Sequence, residues 1–189
     1  MSRTIINLIG IGLTVLLLAC CSSHKRQEPV GNIFDETNLS EGEKMILKAR
    51  EAYDFARMSA LCDSLEKTGD ISPVAANFYR SGALIYSGMM GEAKQYLEKA
   101  IADSMPDAAD LRLYLRAKSV LARVLTTEGK FEKALSQAMP TLAIMDSLGN
   151  KDFGDMTQLF IVIGECQQNL HMATEAATSF DKAYALARE

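Results

Sequence analysis

Few side chains in this sequence are able to do covalent or acid-base chemistry, and most of them stand alone. Four cysteines and two histidines are the whole supply of soft ligands and near-neutral bases. There is no Cys-x-x-Cys pair for zinc or redox work. His24 and His171 lack a histidine or cysteine partner at metal-ligand spacing. Asp107 and Asp110 are placed as N-terminal charges that complement a helix dipole. Gly88-Met89-Met90-Gly91 has the character of a helix turn, not of a phosphate-cradling loop. Cys62 and Cys166 fall in helices too distant in the chain order to approach within the roughly 7 Å that a disulfide needs, so buried structural thiols are expected. No nucleophile-base constellation, metal site or cofactor site emerges, and no enzyme activity is expected. The exception is Cys20. It follows Ala19 at the end of an apolar run, where a peptidase that accepts a small residue would leave its thiol first in line for acylation.

Composition narrows the partners. Asp+Glu (24) exceed Lys+Arg (20), giving a net charge of −4, which argues against a strongly basic nucleic-acid binder. A hydrophobic fraction of 48% excludes a disordered polymer, while 12 Gly and 4 Pro are few breakers and favour long helices. The apolar run Ile5 to Leu18 is shorter than the roughly 20 residues of a membrane span. With Arg3 before it and Leu17-Leu18-Ala19-Cys20 at its end, it resembles the lipobox of bacterial lipoproteins. That resemblance implies removal of residues 1–19 and acylation of Cys20, including the addition of palmitate-type chains. Two or more chains give stable anchoring where one is marginal. A plain signal peptide or a signal anchor with a chance cysteine, and modification at Cys21, are the alternatives. The mature chain would keep 170 of the 189 residues, and loss of Arg3 makes its charge −5. Residues 20–40 read as a flexible tether, and residues 41–189 as the folded body.

The body is periodic. Ser40-Glu41-Gly42-Glu43 fits a capping box. Ile46, Ala49, Tyr53, Ala56, Ala60 and Leu65 then fall on one side of a helix expected to stop at Gly69. Ser72-Pro73 starts the next. Three segments align without gaps in their central parts. Ser81, Leu84, Gly88, Ala93, Leu97 and Ala100 correspond to Ala122, Leu125, Gly129, Ala134, Ala138 and Thr141. The third set is Gly164, Gln167, His171, Ala176, Phe180 and Ala183. The period is 41 residues from Ala93 to Ala134, then 42 to Ala176. Small residues at matched places on two helices let the backbones approach.

This pattern resembles the tetratricopeptide repeat family, whose usual period is 34 residues. Gly129-Lys130-Phe131-Glu132-Lys133-Ala134-Leu135 is the closest local match. The resemblance implies an all-α, antiparallel helix-pair, right-handed solenoid of about seven helices. The surplus of seven or eight residues falls between each second helix and the next first helix, which predicts one extra turn on each. Pro106 and Leu148-Gly149-Asn150 fall in predicted turns. Pro140 lies inside a predicted helix, where a kink or break is expected. Met89, Met90, Met105, Met139, Met145, Met156 and Met172 are expected mainly to fill the core.

The resemblance also implies that the first helix of each pair lines a concave, partner-binding face. Carried over by register, this face holds Phe78, Gly82, Ile85 and Tyr86, then Arg116, Ser119, Arg123 and Thr127, then Gln158, Ile161, Glu165 and Gln168. It would be apolar-aromatic at one end, basic in the middle and polar beyond, suited to an extended peptide or helix with an acidic group. The expected function is a non-enzymatic interaction scaffold, lipid-anchored in a bacterial envelope and facing the periplasm. The alternative is the N-terminal sensor module of a longer signalling protein. Ala176, Phe180, Ala183 and Tyr184 of the last helix are expected to lack a cover, which would permit self-association.

Overall fold

The computed structural model describes residues 39–149 and 153–188. The signal segment, Cys20, Cys21 and His24 lie outside the described residues, as does nearly all of the tether. Within the described residues the chain is wholly helical. The helices are α1 (Glu41–Glu51), α2 (Phe55–Thr68), α3 (Pro73–Tyr86), α4 (Met90–Ala100), α5 (Ala108–Thr127), α6 (Phe131–Ser147), α7 (Phe153–Asn169) and α8 (Ala173–Leu186). Each packs on the next, and the first helices of successive pairs also touch, α1 on α3, α3 on α5 and α5 on α7. The result is a helical solenoid.

The capping box at Ser40 forms as expected, with Glu43 N donating to Ser40 Oγ and Ser40 N donating to Glu43 Oε2. Ser72 caps α3 with Pro73 in its first turn. Gly69 ends α2 in the left-handed region. The helix expected to run from residue 41 to Gly69 is instead two helices. The chain turns back at Tyr53, whose φ is +56°. There Tyr53 N donates to Arg50 O and Asp54 N to Ala49 O. The same two bonds recur at the turns inside three further pairs (Gly69 and Asp70 make them too, onto Glu66 and Leu65, but there the next helix is capped only at Ser72). Gly88 and Met89 close onto Ile85 and Leu84, Gly129 and Lys130 onto Thr126 and Leu125, and His171 and Met172 onto Gln168 and Gln167. All four central residues have positive φ, of 56°, 78°, 71° and 62°. The residue that follows each starts the next helix with φ near −90°. The described residues therefore contain four equivalent pairs, one more than the sequence pattern shows. The extra turn also shifts the phase of the first stripe. Ile46 and Ala49 are buried, but beyond the turn the core residues are Met58 and Cys62, and Ala56 and Ala60 are exposed.

The surplus length is placed less evenly than one turn per helix. α4 keeps 11 residues while α5 has 20, with residues 101–107 as a connection containing Pro106. α6 and α7 have 17 each. Pro140 does not break α6, which is continuous across it. Pro140 and Ser136, whose carbonyl loses its helical donor there, are both exposed, so water can satisfy that carbonyl. The methionines also depart from expectation. Met145 and Met156 are buried with Met58, but Met89, Met90, Met105, Met139 and Met172 are exposed, most of them at helix ends or in turns.

Two core clusters hold the pairs together. One surrounds Ile46, Met58, Cys62, Ala76 and Tyr79, the other Leu97, Leu115, Val124, Met145, Leu159 and Cys166. Phe78 and Val74 pack on both. In the last pair Ala176, Ser179 and Ala183 of α8 are buried, and the Phe180 ring lies so close to Gly164 that a Cβ there would sit 2.7 Å from it. Of the four residues expected to lack a cover, only Tyr184 is strongly exposed.

Four stability outcomes follow from these turns and contacts. His171→Gly removes a side chain from a left-handed position and is expected to stabilise by about 1 kcal/mol, whereas Gly129→Ala is expected to cost about as much. Gly164→Ala is expected to destabilise by about 1–3 kcal/mol through overpacking against Phe180. In contrast, Gly82→Ala is expected to stabilise by up to about 1 kcal/mol, the helix-propensity gain, because its Cβ would meet only the end of Met58 at 3.5 Å. Urea midpoints at unchanged slope measure all four. A destabilised His171→Gly or a stabilised Gly164→Ala would contradict this account.

Candidate functional site

The first helices of the pairs line a groove whose geometry can be built from α3 outward. Phe78 sits between the two core clusters and borders two adjoining cavities. The first, of about 270 Å³, is lined by Met58, Phe78, Gly82, Ile85, Tyr86 and Met90, with Val120 and Val124 of α5 behind. The second, of about 330 Å³, is lined by Leu47, Phe78, Val120, Leu159 and Val162 together with Arg116, Ser119, Asp155 and Gln158. Arg50, Phe78, Tyr79, Val120 and Arg123 border both. One chamber is almost wholly apolar and the other carries more polar groups on an apolar wall, and Arg50 and Arg123 border both. At the mouth of the apolar chamber the exposed Tyr86 ring stacks on Phe55, with centroids 5.1 Å apart.

Beside the groove a buried polar network locks α1 to α3 and α5. The Tyr79 hydroxyl donates to Glu43 Oε1 at 2.9 Å, and Arg112 donates to the same oxygen at 2.5 Å. The Glu43 and Arg112 side chains are only 13% and 10% exposed. Burial, then the adjacent Glu43 carboxylate, pushes the Tyr79 hydroxyl well above its usual range, so it stays a donor. Ser72 adds a second tie by donating to Asp110 Oδ1 while capping α3.

The structure brings Phe78, Arg116, Arg123 and Gln158 together in the polar chamber, and Tyr86 lines the apolar one. Glu165, Ile161 and Gln168 line neither chamber. The middle of the groove is less basic than the sequence implies. Arg116 Nε donates to Asp155 Oδ2 at 2.7 Å, and Arg123 donates to Gln158 Oε1. Arg50 was not among the residues expected here. It occupies, in the first pair, the register position of Ile85 in the second, four residues after Ile46 as Ile85 is after Ser81. The signal was available, but only to a reading that recognises the first pair. Arg50 is half-buried and has no side-chain hydrogen bond or ion pair among the described residues.

The remaining candidates for chemistry are set aside by their surroundings. Cys62 and Cys166 are buried and unpaired. Burial pushes the Cys62 thiol up to about 12, and the Cys166 thiol is also raised, chiefly by burial. A protonated, enclosed thiol is a poor nucleophile. Among the described residues no group of three or more His, Cys, Asp or Glu side chains is placed to hold a metal ion. No described helix is long and apolar enough to cross a membrane. A larger cavity of about 680 Å³ lies apart from the groove, between α6, α7 and α8, against Met139, Leu142, Phe160 and Ile163.

The sequence matches no protein family and no curated protein. Among solved structures the chain is similar to crystal structures of nearly identical TPR-like repeats from a protein of Podosopora anserina designated a kinesin light chain. One match has 13% identity and a TM-score of 0.40, covering 77% of this chain and 92% of that one. The other has 13% identity and a TM-score of 0.39, with 85% and 97% covered.

The raised thiol has a consequence for stability. The folded state keeps the Cys62 proton above the ordinary thiol value of 9.0, where the unfolded chain gives it up. The stabilisation is therefore complete below 9 and is lost as the pH rises from 9 towards about 12. Tyr79 acts in the same direction. Urea midpoints should fall across that window, and less steeply for Cys62→Ala. A midpoint that rises there would be incompatible with a buried neutral thiol. Iodoacetamide should modify Cys62 at a measurable rate only once the chain is unfolded.

Proposed function

We propose that this chain is a non-enzymatic interaction scaffold whose groove along α1, α3, α5 and α7 receives a segment of a partner protein. The observation that carries this reading is the pair of adjoining chambers on either side of Phe78. Each is at or below the lower end of the roughly 300–1,000 Å³ typical of small-molecule sites, so each suits a side chain better than a whole ligand. The thiols are protonated and buried, and the polar groups of the groove are positioned by one another instead of by a catalytic base. The tetratricopeptide-like pairing of helices is compatible with such a role, and the partner is proposed to be a protein or peptide.

The Ala19-Cys20 signal supports a second part of the proposal. Acylation of Cys20 would hold the solenoid at a bacterial membrane, on the periplasmic side, with residues 20–40 as the tether.

Each part has its own test. Labelled palmitate is expected to enter the wild-type chain and not Cys20→Ala, and only the variant should leave the membrane fraction. Equal labelling of the two would overturn the anchor. For the groove, crosslinking in intact cells followed by purification should recover a partner set that Arg123→Glu diminishes and Tyr184→Ser, on α8, does not. A partner set unchanged by Arg123→Glu would remove the groove as the binding face.

A further inference from the structure

We infer that the segment received by the groove is acidic, and that it pairs a carboxylate at Arg50 and Arg123 with an apolar side chain in the chamber beside Gly82. This rests on the groove reading above and adds the chemistry of the partner to it.

The first argument is charge. The charged residues bordering the two chambers are Arg50, Arg116, Arg123 and Asp155. Asp155 is engaged by Arg116. Glu43 and Arg112, the nearest buried charges, pair with each other. Arg123 has a neutral amide, Gln158, as its bonded partner, and Arg50 has no side-chain partner among the described residues. Two guanidinium groups thus share one cleft without a carboxylate of their own, in a chain whose net charge is −4. Arg50 lies in the last turn of α1, where a cation is favoured by the helix dipole. That accounts for a basic residue but not for its place beside Arg123 on the border of both chambers. A planar guanidinium is well suited to bind a carboxylate through two parallel bonds.

The second argument is the empty space in the apolar chamber. Gly82 lies inside α3, where glycine costs about 1 kcal/mol relative to alanine. No close packing requires it, since the nearest atom to a Cβ there is the flexible end of Met58 at 3.5 Å. Its absent side chain instead leaves room between Phe78, Ile85 and Tyr86. In an extended peptide, side chains two residues apart point the same way and stand roughly 6.5–7 Å apart. An acidic residue and an apolar one at that spacing would address the arginines and the chamber together.

The test uses fluorescein-labelled peptides in which leucine and glutamate alternate at every second position with serine between. Companion peptides carry glutamine or lysine for glutamate, or alanine for leucine. The glutamate-leucine peptide is expected to bind at least about tenfold more tightly than its glutamine and alanine counterparts, and not to bind as the lysine form. Its affinity should fall when salt is raised to about 1 M, where screening acts over about 3 Å. Arg50→Gln with Arg123→Gln should erase the preference for glutamate over glutamine. Gly82→Leu should erase the preference for leucine over alanine, with helicity kept and melting not lowered, and Arg57→Gln on the exposed side of α2 should alter neither preference. Equal binding of the glutamine peptide would overturn the acidic partner while leaving the groove reading intact. So would failure of every peptide to bind while the crosslinked partners still depend on Arg123. A glutamate preference that survives the double arginine substitution would overturn both, because the site would then lie elsewhere.

Discussion

Everything in this solenoid depends on a turn in which two amide groups reach back to the end of the helix they have just left. To make both bonds, one residue must enter the left-handed region, and the chain then leaves it antiparallel to its former direction. The turn occurs at Tyr53, Gly88, Gly129 and His171, with the same donors, the same acceptor spacing and the same backbone entering the next helix. Because the turn geometry is the same, the pairs it closes are equivalent, and residues at equal distances from the turn face the same way. The groove follows from that equivalence. Leu47, Gly82, Arg123 and Glu165 each stand one place after the inward-packing residue of the first helix in their pair, and the first three border or adjoin the chambers.

Stacking of the pairs is asymmetric, and that asymmetry makes the cleft. First helices touch first helices along the array, whereas α4 and α6, or α6 and α8, make no comparably close approach among the described residues. Phe78 occupies the seam on the first-helix side, touching both core clusters and both chambers. The same side carries the Glu43–Tyr79–Arg112 network, which ties three first helices at one carboxylate. A buried ion pair of this kind is weak evidence for stability. Its effect here is positional, since it fixes α1 against α3 and α5, and α1 and α5 carry Arg50 and Arg123 to the same two chambers.

The parts of the fold that were legible in the sequence are those where small residues and glycine mark the packing and the turn. Gly88 and Gly129, with Ala93, Ala134 and Ala176 after the turns, give the last three pairs. The first pair escaped because its turn residue is tyrosine and its packing positions hold Ile46 and Met58, bulky where the others are small. Without Tyr53 as a turn, residues 41 to 69 form one helix with a tolerable stripe, and Arg50 becomes a solvent-facing charge. His171 shows the opposite case. It also replaces glycine, yet the matches around it were dense enough to place the turn. Within the groove, which residues share a face was readable from register. Which of them are already engaged was not, because the pairing of Arg116 with Asp155 and of Arg123 with Gln158 depends on how far α7 advances along α5. The methionines misled for a related reason. Periodicity places a residue on a stripe, but near a helix end the stripe has no neighbour to cover it.

Gly82 and Gly164 show why a small residue inside a helix is ambiguous until its surroundings are known. Both sit near the inward face of a first helix, and both lower helix propensity by the same amount. At Gly164 the missing side chain is replaced at once by the Phe180 ring, so the cost is offset by packing within the pair. At Gly82 only the flexible end of Met58 comes near, and the space opens into the groove between aromatic and aliphatic walls. The penalty there is not recovered by close packing in the folded chain as it stands. An uncompensated glycine beside two arginines without carboxylates leaves both an apolar need and a charge need unmet in the same cleft. A single occupant that carries both kinds of group satisfies them together, which is more economical than assigning each to a separate cause.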